Sequence, residues 1–82
     1  MEYQLAAIKI GHREDTATAV QEILTGFGCH IKVRLGLHDL PDDACAPAGL
    51  LVLQVDADEE DLADFLDELN ALEDVTARSL TI

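Results

Sequence analysis

Residues 50–72, LLVLQVDADEEDLADFLDELNAL, contain a strand pattern that passes directly into a helix pattern. The apolar run at 50–55 has the length of a strand, and its continuity predicts that both faces of this strand are buried. Asp58 is expected to begin the helix, because its carboxylate can accept from the amide near Asp61 and the acidic first turn suits the positive end of the helix dipole. An apolar stripe at helical spacing follows at Leu62, Phe65, Leu66, Leu69 and Leu72.

The residues before this stretch predict one more helix and two more strands. Residues 3–10 alternate with period two and end at Gly11, which favours a strand. Apolar residues recur at helical spacing from Thr16 onward, with Asp15 or Thr16 as the expected N-cap. Residues 30–37, HIKVRLGL, have the clearest alternation of the chain and predict another strand.

Residues 75–82 complete the pattern as a last strand after a turn at Glu73 and Asp74. The element order is therefore β-α-β-β-α-β in a single domain, residues 1–82, with a proline-containing loop at 38–49. This order predicts an α+β, ferredoxin-like sandwich. Right-handed crossovers place both helices on one face of a four-stranded antiparallel sheet, in the spatial strand order 4-1-3-2.

Composition excludes several classes of protein. The chain has 82 residues and a net charge of −12, yet 49% of its residues are apolar, which argues against intrinsic disorder. No apolar run approaches the roughly 18 residues that span a membrane, and the N-terminal residues lack the features of a signal peptide. Two cysteines are too few for a disulfide framework, so a cytoplasmic location is expected. The acidity argues against direct binding of nucleic acid or of an anionic membrane.

The charges are segregated along the chain. Ten of the seventeen acidic residues lie between Asp56 and Asp74, on and beside the second helix. Four of the five basic residues lie on predicted strands: Lys9, Lys32, Arg34 and Arg78.

The alternation of residues 30–37 predicts which side chains face the helices. Ile31, Val33 and Leu35 are expected to face them, and His30, Lys32 and Arg34 are expected on the open face of the sheet with Lys9. The first and third strands also place apolar side chains on that open face. We therefore expect a homo-oligomer, a dimer or tetramer, that forms through the sheet. The alternative is a monomer with a partly apolar surface.

Three short motifs resemble the family of iron-only hydrogenase system regulators. They are Arg13-Glu14, residues 20–24 (VQEIL) and residues 31–36 (IKVRLG). The resemblance implies a ferredoxin-like fold similar to ACT domains and to the C-terminal domain of the nickel-responsive repressor. It also implies an oligomeric regulator that senses a small molecule or a metal.

The loop of Gly11, His12, Arg13, Glu14 and Asp15 is the first candidate site. It leads into a helix N-terminus, where free backbone amides favour an anion. The resemblance to ACT domains implies an effector at this loop, often across a subunit interface. The alternative is a capped helix start with solvated charges.

Arg34 is the second candidate for ligand binding. Its guanidinium can clamp a carboxylate or phosphate with two parallel hydrogen bonds. It can equally pair with an acidic residue of a neighbouring subunit.

A metal site is the third candidate. Imidazole and thiolate suit nickel, zinc or copper, and the possible ligands are His12, His30, His38, Cys29 and Cys45. The resemblance to the nickel repressor favours His38 and Cys45. The alternative is a set of surface histidines, a buried Cys29 and an incidental Cys45.

The leading hypothesis is a non-enzymatic regulatory module that binds a small effector at an oligomer interface, with a link to hydrogenase-system regulation implied by the resemblance. The chain has no spacing typical of a catalytic triad and no glycine loop for phosphate, so no enzyme activity is expected. One alternative is a metal-responsive nickel or zinc module. Another is a structural interaction domain whose acidic second helix docks on a basic partner.

Overall fold

The computed structural model describes residues 2–11, 14–37 and 49–82, and its elements follow the predicted order. The four strands are β1 (Gln4–Ile10), β2 (Ile31–Leu37), β3 (Gly49–Val55) and β4 (Val75–Thr81). The two helices are α1 (Glu14–Gly26) and α2 (Glu59–Asn70), and a single 3-10 turn, Gly28–His30, precedes β2. Neither helix of the described part is long and apolar enough to cross a membrane.

The sheet has the predicted topology. The strands lie in the order β2-β3-β1-β4, and every neighbouring pair is antiparallel. This is the predicted order 4-1-3-2 seen from the other edge, so β1 and β3 are central and β2 and β4 are edge strands. The α+β, ferredoxin-like fold is therefore confirmed.

One core lies between the sheet and both helices. Its largest fully buried side chains are Phe65, Ile8, Leu53, Leu69 and Val20, which come from two strands and both helices. Burial of each such side chain contributes roughly 1.5–3 kcal/mol. Because the core draws on every layer, neither the helices nor the sheet can be stable alone.

A β-bulge interrupts the alternation of β2. Ile31 lies opposite Val55 and packs against the core as predicted, but Val33 lies opposite Gln54, so Lys32 is an extra residue. A bulge of this kind exchanges the sheet faces of the residues that follow it. The Lys32 ammonium lies 3.7 Å from the Asp56 carboxylate, and both side chains are exposed, so this ion pair adds little stability.

The predicted position of Arg34 on the open face is therefore wrong. Arg34 lies opposite Leu53, which is fully buried under the helices. Its Nη1 donates to Oε1 of Gln21 on α1 at 3.2 Å, so the guanidinium lies on the helix-covered side of the sheet.

The predicted position of Val33 and Leu35 under the helices is also wrong. They lie opposite Gln54 and Val52, on the side of the sheet that faces away from the helices. Val33 is 53% exposed and Leu35 is 52% exposed. An unbulged strand would have turned both side chains toward the helices.

The side of the sheet that faces away from the helices is called the open face below. Its position on β1 follows from Ile8, which is fully buried, and from Lys9, which is exposed as predicted. The cross-strand register then assigns the remaining members. The open face consists of Leu5, Ala7 and Lys9 on β1, Val33 and Leu35 on β2, Leu50, Val52 and Gln54 on β3, and Thr76, Arg78 and Leu80 on β4, with Tyr3 and Ile82 at its end.

The two helices begin differently from each other. Asp58 is the N-cap of α2 as predicted, since its Oδ1 accepts from the Asp61 amide at 2.8 Å. The first helix begins at Glu14, so Asp15 and Thr16 lie inside it. The prediction that one of them is the N-cap is therefore wrong. Thr16 is buried, and its hydroxyl donates to the Glu73 carbonyl at 3.2 Å. This bond fastens the start of α1 to the turn before β4.

Two side-chain amides fasten loops and helices to the sheet. Asn70, at the end of α2, donates to the Ala77 carbonyl at 3.0 Å and accepts from the Ala77 amide at 2.8 Å. Gln4 makes the same paired contact with Ala57, at 2.8 and 3.0 Å. Each pair satisfies both backbone groups of one residue, which are costly to leave without partners.

Replacement of Asn70 by aspartate tests the first of these contacts. Asn70→Asp keeps the acceptor but loses the donor and adds a negative charge at the C-terminal end of α2, where the helix dipole disfavours it. We expect the free energy of unfolding to fall by about 1–2 kcal/mol in urea denaturation at neutral pH. The loss should persist in high salt, which screens general charge repulsion. Unchanged stability would show that the contact with Ala77 does not fasten β4.

Candidate ligand-binding cleft beside Arg34

Gly11 closes the end of β1 against the turn before β4. Its amide donates to the Asp74 carbonyl at 2.9 Å. A Cβ atom added at Gly11 would collide with the Asp74 carboxylate, so an alanine there would force this exposed side chain to rotate away. Asp74 has a φ of 68°, which aspartate adopts more readily than most residues. The structure therefore gives Gly11 a packing role.

The rest of the first candidate loop is only partly described. His12 and Arg13 lie outside the described residues. Glu14 and Asp15 form the start of α1, and their side chains also lie outside the described part. The anion site expected at this loop therefore stays a prediction.

Arg34 lines a cleft between α1 and the β2 edge of the sheet. The cleft has a volume of about 430 Å³, which is within the range of small-molecule sites. The lining includes Ala17 and Gln21 from α1, Arg34 and Gly36 from β2, Gly49, Leu50 and Leu51 from β3, and Ile10 from β1. Ile10 directly precedes Gly11, but Gly11 itself is not among the residues that line the cleft.

The floor of the cleft is apolar, and two glycines leave space above it. Gly36 lies opposite Leu51, and Gly49 lies opposite Ile10, so two neighbouring strands lack side chains at this end of the sheet. A Cβ on Gly36 would meet the Leu51 side chain at 3.5 Å, which is an ordinary contact. Alanine would therefore fit at Gly36, and the glycine leaves space rather than meeting a steric need.

The charge of the cleft differs from that of the chain. Among the described residues that line it, Arg34 is the one charged side chain. The chain as a whole has a net charge of −12. Arg34 is a candidate from the sequence, whereas Gln21 and Gly36 are not, because their roles depend on a bulge that places Arg34 beside α1.

The predicted metal ligands are not brought together in the described part of the chain. His38 and Cys45 lie outside the described residues, as does His12, so their role stays a prediction. Within residues 2–11, 14–37 and 49–82, no group of three potential ligands can hold a metal ion. His30 lies in the 3-10 turn with Nδ1 2.9 Å from the Asp56 carbonyl, and Cys29 is exposed rather than buried.

The acidic second helix is solvated as expected. Both helices lack basic residues along their described sequences, so their carboxylates have no intrahelical ion pair. A groove of about 500 Å³ between α1 and α2 is lined by Glu22, Asp61, Asp64 and Glu68. The binding of a basic partner to this surface stays a prediction.

The comparisons with known proteins concern the fold. No family model matches the chain, and no curated protein does. The uncharacterized protein TM1266 from Thermotoga maritima is similar over 100% of this chain and 99% of that chain, with a TM-score of 0.84 and 18% identity. A dimeric ferredoxin-like protein of unknown function from Thermobifida fusca has a TM-score of 0.48 and 16% identity over 98% of this chain and 92% of that chain. Neither description names a hydrogenase system.

The packing role of Gly11 can be tested by a double-mutant cycle with Asp74. We expect Gly11→Ala to lower the free energy of unfolding by about 0.5–1.5 kcal/mol, because the new methyl group forces the exposed Asp74 carboxylate out of its preferred rotamer. Asp74→Gly removes the carboxylate and suits the positive φ, so it should recover most of that loss in the double variant. An equal penalty for Gly11→Ala in both backgrounds, measured by urea denaturation, would contradict the assigned contact.

Proposed function

We propose that this protein is a non-enzymatic regulatory module that self-associates through its open face and binds a small effector. The observation that carries the proposal is the position of the exposed large apolar side chains. In the described part of the chain these are Tyr3, Val33, Leu35, Leu50, Leu80 and Ile82, between 37% and 67% exposed. All of them lie on the open face, which a second copy of the chain would cover.

The size of the open face supports self-association. Four strands spaced about 4.8 Å apart, each of seven residues rising about 3.3 Å, give a flat area of roughly 440 Å². This area is an upper bound on the apolar patch, because Lys9, Gln54, Thr76 and Arg78 also lie on the open face. Apolar patches of roughly a few hundred Å² on a soluble protein are often functional. Two such flat faces bury about 900 Å², just below the roughly 1,000 Å² that a specific interface exceeds, and side chains that project from the sheet add to this area.

The charge distribution favours the same arrangement. The described residues of the open face include Lys9 and Arg78 but no acidic residue. Lys9 lies near the end of β1 and Arg78 lies on an edge strand, so both can extend toward water at the perimeter. Two copies with a charge of −12 each repel one another through their acidic helices, and this repulsion is smallest when the open faces meet.

The regulatory part of the proposal rests on the resemblance to hydrogenase-system regulators and on the cleft beside Arg34. An effector acts on such a module only if it binds one assembly state more tightly than another. Leu50 lines the cleft and also belongs to the open face, so a bound effector would contact a residue of the proposed interface. A cytoplasmic location and an action in hydrogenase-system regulation are part of this proposal.

Replacement of Leu35 by aspartate tests self-association. We expect the wild-type protein to have a mass above that of the 8.9 kDa chain at micromolar concentration, measured by light scattering after gel filtration. Leu35→Asp places a charge in the proposed interface and should give a folded monomer, because the side chain is 52% exposed within one chain.

Ala63→Asp is the matched control, since it adds the same charge at an exposed position of α2. This variant should keep the wild-type mass. A monomeric wild-type protein, or a Leu35→Asp variant with the wild-type mass, would contradict self-association through the open face.

A further inference from the structure

We propose that the cleft beside Arg34 binds a small organic carboxylate with an apolar body, with the carboxylate on Arg34 and the apolar body on the floor of the cleft. This inference rests on the proposed function, because it names the chemical class of the effector and its place on the chain. It does not rest on self-association, since every described residue that lines the cleft belongs to one chain.

Arg34 has no carboxylate partner among the described residues. The chain has seventeen acidic residues, yet the contact of the Arg34 guanidinium within the described part is with the neutral Gln21 side chain. This contact uses Nη1 as the donor, whereas a guanidinium has five N–H groups. Within the described part of the chain the remaining donors have no recorded partner and can bind an anion, and Gln21 holds the planar group at the edge of the cleft.

The charge of the described cleft lining favours an anionic ligand. Among the described residues of the lining, Arg34 is the one cation and none is acidic, so the charge of this lining is opposite in sign to that of the whole chain. Low-dielectric walls concentrate the field of this cation within the cleft. An anionic ligand is therefore drawn to this cleft rather than to the acidic helices.

The shape and low polarity of the floor of the cleft favour a ligand with an apolar body. Ile10 and Leu51 pack against the core and present their remaining surface to the cleft, and Gly36 leaves space between them and Arg34. The favourable transfer of apolar surface from water suits a ligand with a short hydrocarbon body.

The combination of one guanidinium with an apolar floor distinguishes a carboxylate from a phosphate. A guanidinium matches a carboxylate with two parallel hydrogen bonds and balances its single charge. A phosphate carries more charge and is normally bound by several cations or by a ring of backbone amides. Among the described residues of the lining, only Arg34 is charged, so the carboxylate fits better.

Isocaproate and its neutral amide, isocaproamide, are the matched probes, and inorganic phosphate is the third. Each is titrated into isotope-labelled protein and followed by two-dimensional NMR. We expect saturable shifts of the Gly36 and Leu51 amide signals with isocaproate, and none with isocaproamide or phosphate over the same millimolar range. Arg34→Gln should weaken the binding of isocaproate by about tenfold or more, the value of a charge-assisted pair.

Arg78→Gln is the matched control, because it removes the same charge from the open face. It should bind isocaproate as the wild-type protein does. Equal binding by Arg34→Gln, equal binding of isocaproamide, tighter binding of phosphate, or the absence of a saturable shift with isocaproate would each overturn the inference.

The Leu35→Asp variant distinguishes a failure of the carboxylate site from a failure of self-association. It should still bind isocaproate, because its cleft is complete within one chain. If the wild-type protein is a monomer and binds isocaproate through Arg34, self-association is wrong and the carboxylate site stands. If the protein is an oligomer without that binding, the carboxylate site is wrong.

Discussion

The extra residue in β2 determines what each side of the sheet presents. The bulge at Lys32 moves Arg34 to the helix-covered side and moves Val33 and Leu35 to the open face. An edge strand tolerates this change because one side of its hydrogen-bonding ladder is free of a neighbour. The Arg34 guanidinium then reaches Gln21 of α1, which a strand of unbroken alternation would place out of reach.

The two surfaces proposed for function both depend on this bulge. On the helix side, it brings a cation without a described carboxylate partner to the rim of an apolar cleft. On the other side, it adds Val33 and Leu35 to a face that already carries the exposed leucines of β3 and β4. Leu50 belongs to the lining of the cleft and to the open face, so the ligand and the interface would share a residue of β3.

The sequence predicts the fold well because its helices and central strands obey simple periods. The stripe of α2, the cap at Asp58 and the strand order are all confirmed. The alternation of β2 is misleading, since a bulge leaves the local pattern HIKVRLGL unchanged and appears only in the pairing with β3. For the same reason, Arg34 is recognisable as a candidate from its residue type, whereas its cleft, Gln21 and the space above Gly36 follow only from tertiary structure.

The side-chain contacts of Leu35 in solution test the account most directly. Methyl-labelled protein should show NMR cross-peaks between Leu35 and Val52, its partner on the open face, and none between Leu35 and Val20 of α1. Cross-peaks from Leu35 to Val20 would mean that β2 has unbroken alternation. Arg34 would then lie on the open face, and both the cleft and the apolar composition of that face would be wrong.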